Sequence, residues 1–191
     1  MNKQPEVTAV TRQKLIDAFW SLYEFRRIEK VSIKEITDRA GYNRGTFYIH
    51  FKDVYDLLEQ LELSILPTDE ELELEISLIK QGSSHPFEKL LELYNNNAKY
   101  YNVLLSENGD PYFHNIMKQK CKKLLTDYLK RYDLFDESIE AEYALEYTIS
   151  AMLGIIIYWF QRNKHITVEK LLDIMHKIIK TSPLNLLFKE E

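Results

Sequence analysis

The chain has 191 residues, 45% of them hydrophobic, with 5 Gly and 5 Pro, enough to bury a sizeable core and too few breakers for a many-turned β architecture. Its single cysteine, Cys121, excludes an internal disulfide framework and a cysteine-only metal cluster, and suits a reducing cytoplasm. The net charge of −5 would repel nucleic-acid phosphate were it uniform, but residues 1–56 carry 10 Lys+Arg against 8 Asp+Glu while residues 57–191 carry 15 against 22, which permits a nucleic-acid-reading head on an acidic body.

The opening MNKQPEVTAV lacks the apolar region of a signal peptide. In TRQKLIDAFWSLYEFRR, Leu15, Phe19, Leu22 and Tyr23 recur at helical spacing, with Ile16 and Trp20 beside them, so residues 9–27 read as an amphipathic helix. Ser32 followed by Glu35 is a capping box that opens a short helix with Ile33, Ile36 and Ala40 on one face. Gly41 ends it, because glycine takes the left-handed conformation common at helix ends. Asn43 caps a second short helix from Arg44 to His50, and Asp53 caps a fourth that carries Val54, Leu57, Leu58, Leu61 and Ile65 as far as Pro67.

Further on, an acidic helix covers residues 69–80, before the loop GSSHP. Helices are predicted from Phe87 through Leu104, over 112–131 after the turn ENGDPY, from Asp136 or Ser138 to Arg162, and from Thr167 to Lys180. The longest apolar run, Ala151–Phe160, falls far short of the roughly 20 residues that span a bilayer. No repeat or β-alternating run interrupts the pattern. The expectation is an all-α, soluble, cytoplasmic protein with no membrane partner, divided into a head over 1–52 and a body over 53–191.

Residues 32–50 supply, in order, the parts of a helix-turn-helix: a supporting short helix, a tight turn, and a second short helix that can enter the major groove, about 12 Å wide. Phe47 and Phe51 can anchor the second helix, while Arg44, Thr46, Tyr48 and His50 remain for contact. Arg44 can donate twice to a guanine edge, and Thr46 and Tyr48 suit phosphates or a thymine methyl. The same spacing would also serve a plain helical hairpin with exposed polar groups.

SIKEITDRAGYNRGTFYIHFKDVYDLL resembles the DNA-binding head of the TetR-type (TetR/AcrR) regulators, with its Ala-Gly turn, Gly-Thr-Phe-Tyr recognition helix and His-Phe ending. SAMLGIIIYWFQRN followed by ITVEKLLDIMHKII extends the resemblance into the body. It implies a three-helix helix-turn-helix head on a larger helical body that dimerises through a four-helix bundle. It also implies that Arg44, Gly45, Thr46, Tyr48, Ile49 and His50 face DNA, with Asn43 at the start of that helix. Ser32, Ile33 and Lys34 lie where the preceding helix approaches phosphate. Two departures stand out. Tyr42 and Asn43 replace a small aliphatic and a serine, and Val54 falls where a phosphate-gripping lysine commonly opens the fourth helix. Lys52, two positions earlier, is the candidate to replace that lysine.

The function this implies is a homodimeric repressor released from a pseudo-palindromic operator by a small-molecule effector. The alternatives are a DNA-binding coactivator or adaptor controlled by a protein partner, and a small helical enzyme. No GxSxG, phosphate loop or metal-spaced histidine pair is present in the sequence, so no catalytic site, metal or cofactor is assigned. For the dimer, Ala144, Ser150, Ala151 and Gly154 allow close helix approach beside Tyr147 and Tyr158, with Leu171, Leu172, Met175 and Ile178 from the last helix. For the effector, helices with apolar groups on more than one stripe mean either burial on several sides or the wall of a pocket, and the resemblance tips the choice toward a pocket. Its expected lining is Tyr94, Tyr101, Phe113, Met117, Cys121, Tyr147, Met152 and Trp159, with Lys120 nearest the mouth. That lysine slightly favours an anionic or hydroxylated effector.

Overall fold

The computed structural model describes residues 5–81, 88–106, 109–133 and 137–181, and their regular elements are all helical. The loop GSSHP, the tail SPLNLLFKEE and Asp136 lie outside the described residues. The chain divides into two compact units, Met1–Leu66 and Pro67–Glu191.

The first unit holds α1 (Pro5–Tyr23), a single 3-10 turn (Ile28–Lys30), α2 (Ile33–Ala40), α3 (Arg44–His50) and α4 (Val54–Ile65). Leu15, Phe19, Ile36, Phe47 and Leu57 are wholly buried and form its core, as the helical spacing of apolar groups in α1 predicts. The first helix ends at Tyr23, earlier than its periodicity suggests. The N–H groups of Phe25 and Arg26 bond three residues back, to Leu22 and Tyr23, and so tighten the last turn. Helix α2 is closed by both halves of its capping box, Glu35 N–H to Ser32 Oγ at 3.3 Å and Ser32 N–H to a Glu35 carboxylate oxygen at 3.1 Å. It stops at Gly41, which sits at φ 75°, where a side chain would be strained.

The first compact unit runs past residue 52 to Leu66 and takes in α4. The reason is visible in the packing. Leu57, Leu58 and Leu61 of α4 are buried, and Arg12 of α1 reaches Gln60 of α4 at 3.1 Å.

The second unit holds α5 (Asp69–Lys80), α6 (Glu88–Leu104), α7 (Pro111–Arg131), α8 (Ile139–Gln161) and α9 (Val168–Lys180). Helix α5 packs on α6 and α7, α7 on α8, and α8 on α9. Thr68, Asp110, Ser138 and Thr167 each cap the helix that follows. One element departs from its predicted form. Helix α6 bends at Asn97 (φ −117°, ψ 15°), whose side-chain amide donates to the Leu93 carbonyl at 3.1 Å. An asparagine amide competes with the backbone ladder, and here it accompanies the break.

An ion-pair clamp joins α7 to α8. Lys118 and Lys122 both donate to the Glu146 carboxylate, Lys122 at 2.9 Å, and these two hydrogen bonds pull its pKa down to about 2. A carboxyl held below its ordinary value of 4.5 contributes stability that is complete above that value and fades as pH falls toward 2. Glu146→Gln should therefore lower the urea midpoint at pH 7 and flatten its decline between pH 4.5 and 2. A variant curve parallel to the wild type throughout that window would contradict the clamp. In the same unit Phe113 is wholly buried, and Phe113→Ala should cost about 3–5 kcal/mol in chemical denaturation. A loss under about 1 kcal/mol would mean that the site is not close-packed.

Candidate nucleic-acid interface

Helix α3 has only seven residues, and its two faces differ sharply. Phe47 is wholly buried and Phe51, just past the helix, is 2% exposed, with their ring centroids 5.5 Å apart. On the other side Tyr48 is 58% exposed and Ile49 64%, and Arg44 and Gly45 are also exposed. A short helix that buries two phenylalanines and presents Arg, Tyr and Ile outward is fixed behind and open in front. The structure thus brings Arg44, Gly45, Tyr48 and Ile49 onto one accessible surface, with Thr46 and His50 half-buried at its edges.

The helix N-terminus is organised by Asn43. Its side-chain oxygen accepts the Thr46 N–H at 2.9 Å and lies 3.3 Å from the Thr46 hydroxyl. Thr46 is thereby turned toward the cap, so its hydroxyl reaches phosphate only by giving up that contact. Gly45 sits beneath the cap, where a Cβ would come within 3.1 Å of the Asn43 oxygen. The residue before the cap, Tyr42, is half-buried, and its hydroxyl is 3.5 Å from Thr11 of α1. The larger residue at that position is used inside the head.

Charged groups flank the surface. Lys34 is exposed and pairs with Asp38 one turn on at 2.8 Å, an exposed i,i+4 pair of the kind that yields readily to a stronger anion. Ser32 is different, because Glu35 holds both its N–H and its hydroxyl. Hydrogen bonds from Ser32, and then from Arg26, depress the Glu35 carboxyl to about 2, and its charge at the start of α2 is answered by Arg26 at 3.0 Å. Ile33 is half-buried beside it. Lys52 is exposed just beyond α3, whereas Val54, in the position of the usual lysine, is half-buried.

Sequence reasoning passed over three groups here. Tyr55 is 57% exposed on the first turn of α4, three residues after Lys52. Arg39 of α2 donates to the Ser21 hydroxyl at 2.7 Å and ties α2 to α1. Arg12, Gln60 and Asp56 form a hydrogen-bonded series that ends at the Lys52 backbone. The last two connect residues far apart in the chain, and no local spacing announces them.

In the body, Tyr94, Tyr101, Phe113 and Trp159 converge. Tyr94 lies 5.7 Å from Trp159 and 6.3 Å from Tyr101, and Tyr101 lies 6.1 Å from Phe113, centroid to centroid. Met117, Cys121 and Met152 are half-buried. Burial raises the Tyr101 hydroxyl and the Cys121 thiol above their ordinary values, so Cys121 is a poor thiolate. Tyr147 does not join the cluster, being 61% exposed on α8. Lys120 is 3.8 Å from Asp69 at the start of α5, so its charge already has a partner within the body.

Of the residues expected at a subunit interface, Tyr158, Ala144, Ser150 and Gly154 are exposed on α8 along with Tyr147, and Ala151 is half-exposed. On α9, Leu171 and Met175 are buried within the body, and Leu172 and Ile178 are half-buried. Helix α8 is long and apolar enough, by length and composition alone, to cross a membrane, although it carries Glu140, Glu142 and Glu146.

Comparison with known proteins matches residues 15–61 to the model of the bacterial regulatory proteins of the tetR family, and residues 83–181 to that of a transcriptional regulator C-terminal region. An uncharacterized HTH-type transcriptional regulator, YwcC of Bacillus subtilis (strain 168), is 24% identical over 188 residues, covering 86% of this chain and 83% of its own length. The HTH-type transcriptional regulator AcrR of Shigella flexneri is 40% identical over 55 residues, 28% of this chain and 26% of its own. Among solved structures, a TetR transcriptional regulator from Streptococcus agalactiae 2603V superposes with a TM-score of 0.63 at 20% identity, over 91% of this chain and 96% of that one. The fatty acid degradation regulator FadR from Bacillus halodurans gives a TM-score of 0.58 at 14% identity, over 96% and 98%. At such identities the structural likeness concerns the fold. The family models, which together take in the head and most of the body, place the chain by function as a non-enzymatic, DNA-binding transcription factor. The chain belongs to the TetR family of bacterial transcriptional regulators.

Proposed function

We propose that this regulator is a cytoplasmic homodimeric repressor. Its two recognition helices enter successive major grooves of a pseudo-palindromic operator, and a small molecule bound in the body releases it. The observation that carries the DNA-reading part is the two-faced recognition helix, with Phe47 wholly buried behind and Tyr48 58% and Ile49 64% exposed in front. Arg44 is the group able to read a guanine edge bidentately, Tyr48 and Ile49 give a hydroxyl and an apolar surface, and Lys52 and Lys34 supply charge for phosphate.

The dimer reading is supported by α8. Ile139, Tyr143, Tyr147, Ser150, Gly154 and Tyr158 form one exposed row along the helix, spaced as a continuous ridge. A Cβ at Gly154 would meet nothing within 4 Å, which leaves room for a partner helix. A long apolar helix so exposed within one subunit needs a cover, and the same row on a second copy supplies one by two-fold symmetry. Leu172 and Ile178 extend that surface, with Leu171 and Met175 supporting it from the core side. The effector reading rests on the aromatic cluster of Tyr94, Tyr101, Phe113 and Trp159, bordered by Met117, Cys121 and Met152. An effector there would favour a head separation mismatched to one turn of DNA.

Arg44→Ala should weaken operator binding by about 1–3 kcal/mol and relax specificity at one base pair, as expected for a lost bidentate contact. Tyr48→Phe should weaken it less, and neither should alter the melting temperature or the dimer. Wild-type affinity from both variants, in titrations at physiological salt, would refute the assignment of the DNA-facing side. For the assembly, light scattering at micromolar concentration should return twice the chain mass for the wild type and the single-chain mass for Tyr147→Glu. A wild-type monomer, or a variant that stays dimeric, would remove α8 from the interface.

A further inference from the structure

A series of side chains runs across the head from α1 to the residue that follows the recognition helix. Arg12 donates from its guanidinium to Gln60 Oε1 at 3.1 Å. Gln60 donates from Nε2 to both carboxylate oxygens of Asp56, each at 3.1 Å. Asp56 accepts the backbone N–H of Lys52 at 2.7 Å. The guanidinium also lies 5.3 Å from the centroid of the Phe51 ring, and the Phe51 N–H closes the last turn of α3 on the Phe47 carbonyl at 3.0 Å. A single side chain on α1 therefore acts on both residues that follow the recognition helix. It acts on Phe51 through the ring face and on Lys52 through three successive hydrogen-bonded links.

The relay has a definite polarity. Arginine can only donate and a carboxylate can only accept, so the Gln60 amide satisfies both neighbours in one orientation alone. No other residue of similar length does this. Glutamate would keep the arginine and repel Asp56, and methionine would serve neither. The series also gives the aspartate close to Lys52 a role, as the acceptor that links Gln60 to the Lys52 backbone. Hydrogen bonds from the Lys52 backbone, and then from Gln60, hold the Asp56 carboxyl below its ordinary value.

We propose that Arg12, Gln60 and Asp56 are positioning residues for DNA recognition, fixing the exit of the recognition helix and the departure point of Lys52 without touching DNA. The proposal rests on the reading of α3 as the DNA-reading helix. The relay acts by preorganisation. A helix held in its bound orientation does not have to be ordered when it meets the groove, so affinity falls when the tether is cut even though every contacting group remains.

The test uses the full-length protein and an operator enriched by the wild type from random duplex DNA. Arg12→Met, Gln60→Met and the double variant keep side-chain volume while cutting the relay at one link, the other, or both. Each single variant should bind the operator about 3–10-fold more weakly, the scale of one lost hydrogen bond. The double variant should lose no more than the weaker single variant, because the links act as one unit. The slope of log affinity against log salt should match the wild type for all three, since no phosphate contact is removed. Amide exchange at Phe51 and Lys52 should quicken in each. A salt slope reduced by about one in Arg12→Met would make Arg12 a direct phosphate contact and overturn the proposal. So would faster exchange with operator affinity unchanged, which would reduce the relay to a stability feature. Additive losses in the double variant would dissolve the relay into two separate contacts. If the wild type enriches no DNA, the DNA reading itself fails, whereas a binding wild type with equally strong variants sinks the relay alone.

Discussion

A two-turn helix has no independent stability in water, because nucleating the first hydrogen-bonded turn costs more than so short a segment recovers. The seven residues of α3 persist because Phe47 and Phe51 are buried behind them, and the remaining features of the head follow from that burial. Leu15 and Phe19 of α1, Ile36 of α2 and Leu57 of α4 complete the core that holds the two rings. The caps at Asn43 and Asp53 settle the backbone donors that begin α3 and α4. Once the apolar side of the recognition helix is fixed in this way, Arg44, Tyr48 and Ile49 have no position left except the solvent side. What the head offers to DNA is thus a consequence of how it packs.

The body answers a different demand. Its helices carry more apolar and aromatic surface than one neighbour can cover, and the structure disposes of it in two ways. Tyr94, Tyr101, Phe113 and Trp159 turn inward and meet edge-on or offset, geometries that suit aromatic quadrupoles. Trp159 also donates its indole N–H to the Ile166 carbonyl at 2.8 Å, so its polar edge is satisfied inside the fold. Tyr143, Tyr147 and Tyr158 turn outward on the opposite face of α8. The Glu146 clamp ties α8 to α7 through Lys118 and Lys122.

Features with a local cause were legible in the sequence. Ser32 with Glu35, Asn43, Asp53, Ser138 and Thr167 all cap the helices their spacing foretold, because a cap depends on residues three positions apart. The two-sided character of α3 was legible for the same reason. Tertiary choices were not. The bend at Asn97 lies in a run of three asparagines, and periodicity alone does not select which of them breaks the ladder. Tyr147 fits both a pocket and an interface in sequence, since either would accept a tyrosine there, and its exposure leaves it outside the aromatic cluster. Leu171 and Met175 share an apolar face, but an apolar face does not say whether the subunit's own core or a second copy covers it. In sequence Lys120 is only a charge on the helix 112–131, and its pairing with Asp69 depends on two helices far apart in the chain. Arg12 and Gln60, 48 positions apart, leave no trace in any local pattern.

The function proposed for this regulator depends most on α3 reading base edges as one of a symmetric pair. Selection of random duplex DNA by the whole protein at physiological salt, followed by sequencing of the bound fraction, tests this directly. The prediction is a pseudo-palindrome whose half-site centres lie about 10 bp, or one helical turn, apart, with one dimer bound to each selected duplex. Failure to enrich any sequence above the starting pool, or enrichment of a lone asymmetric half-site held by a single chain, would contradict it.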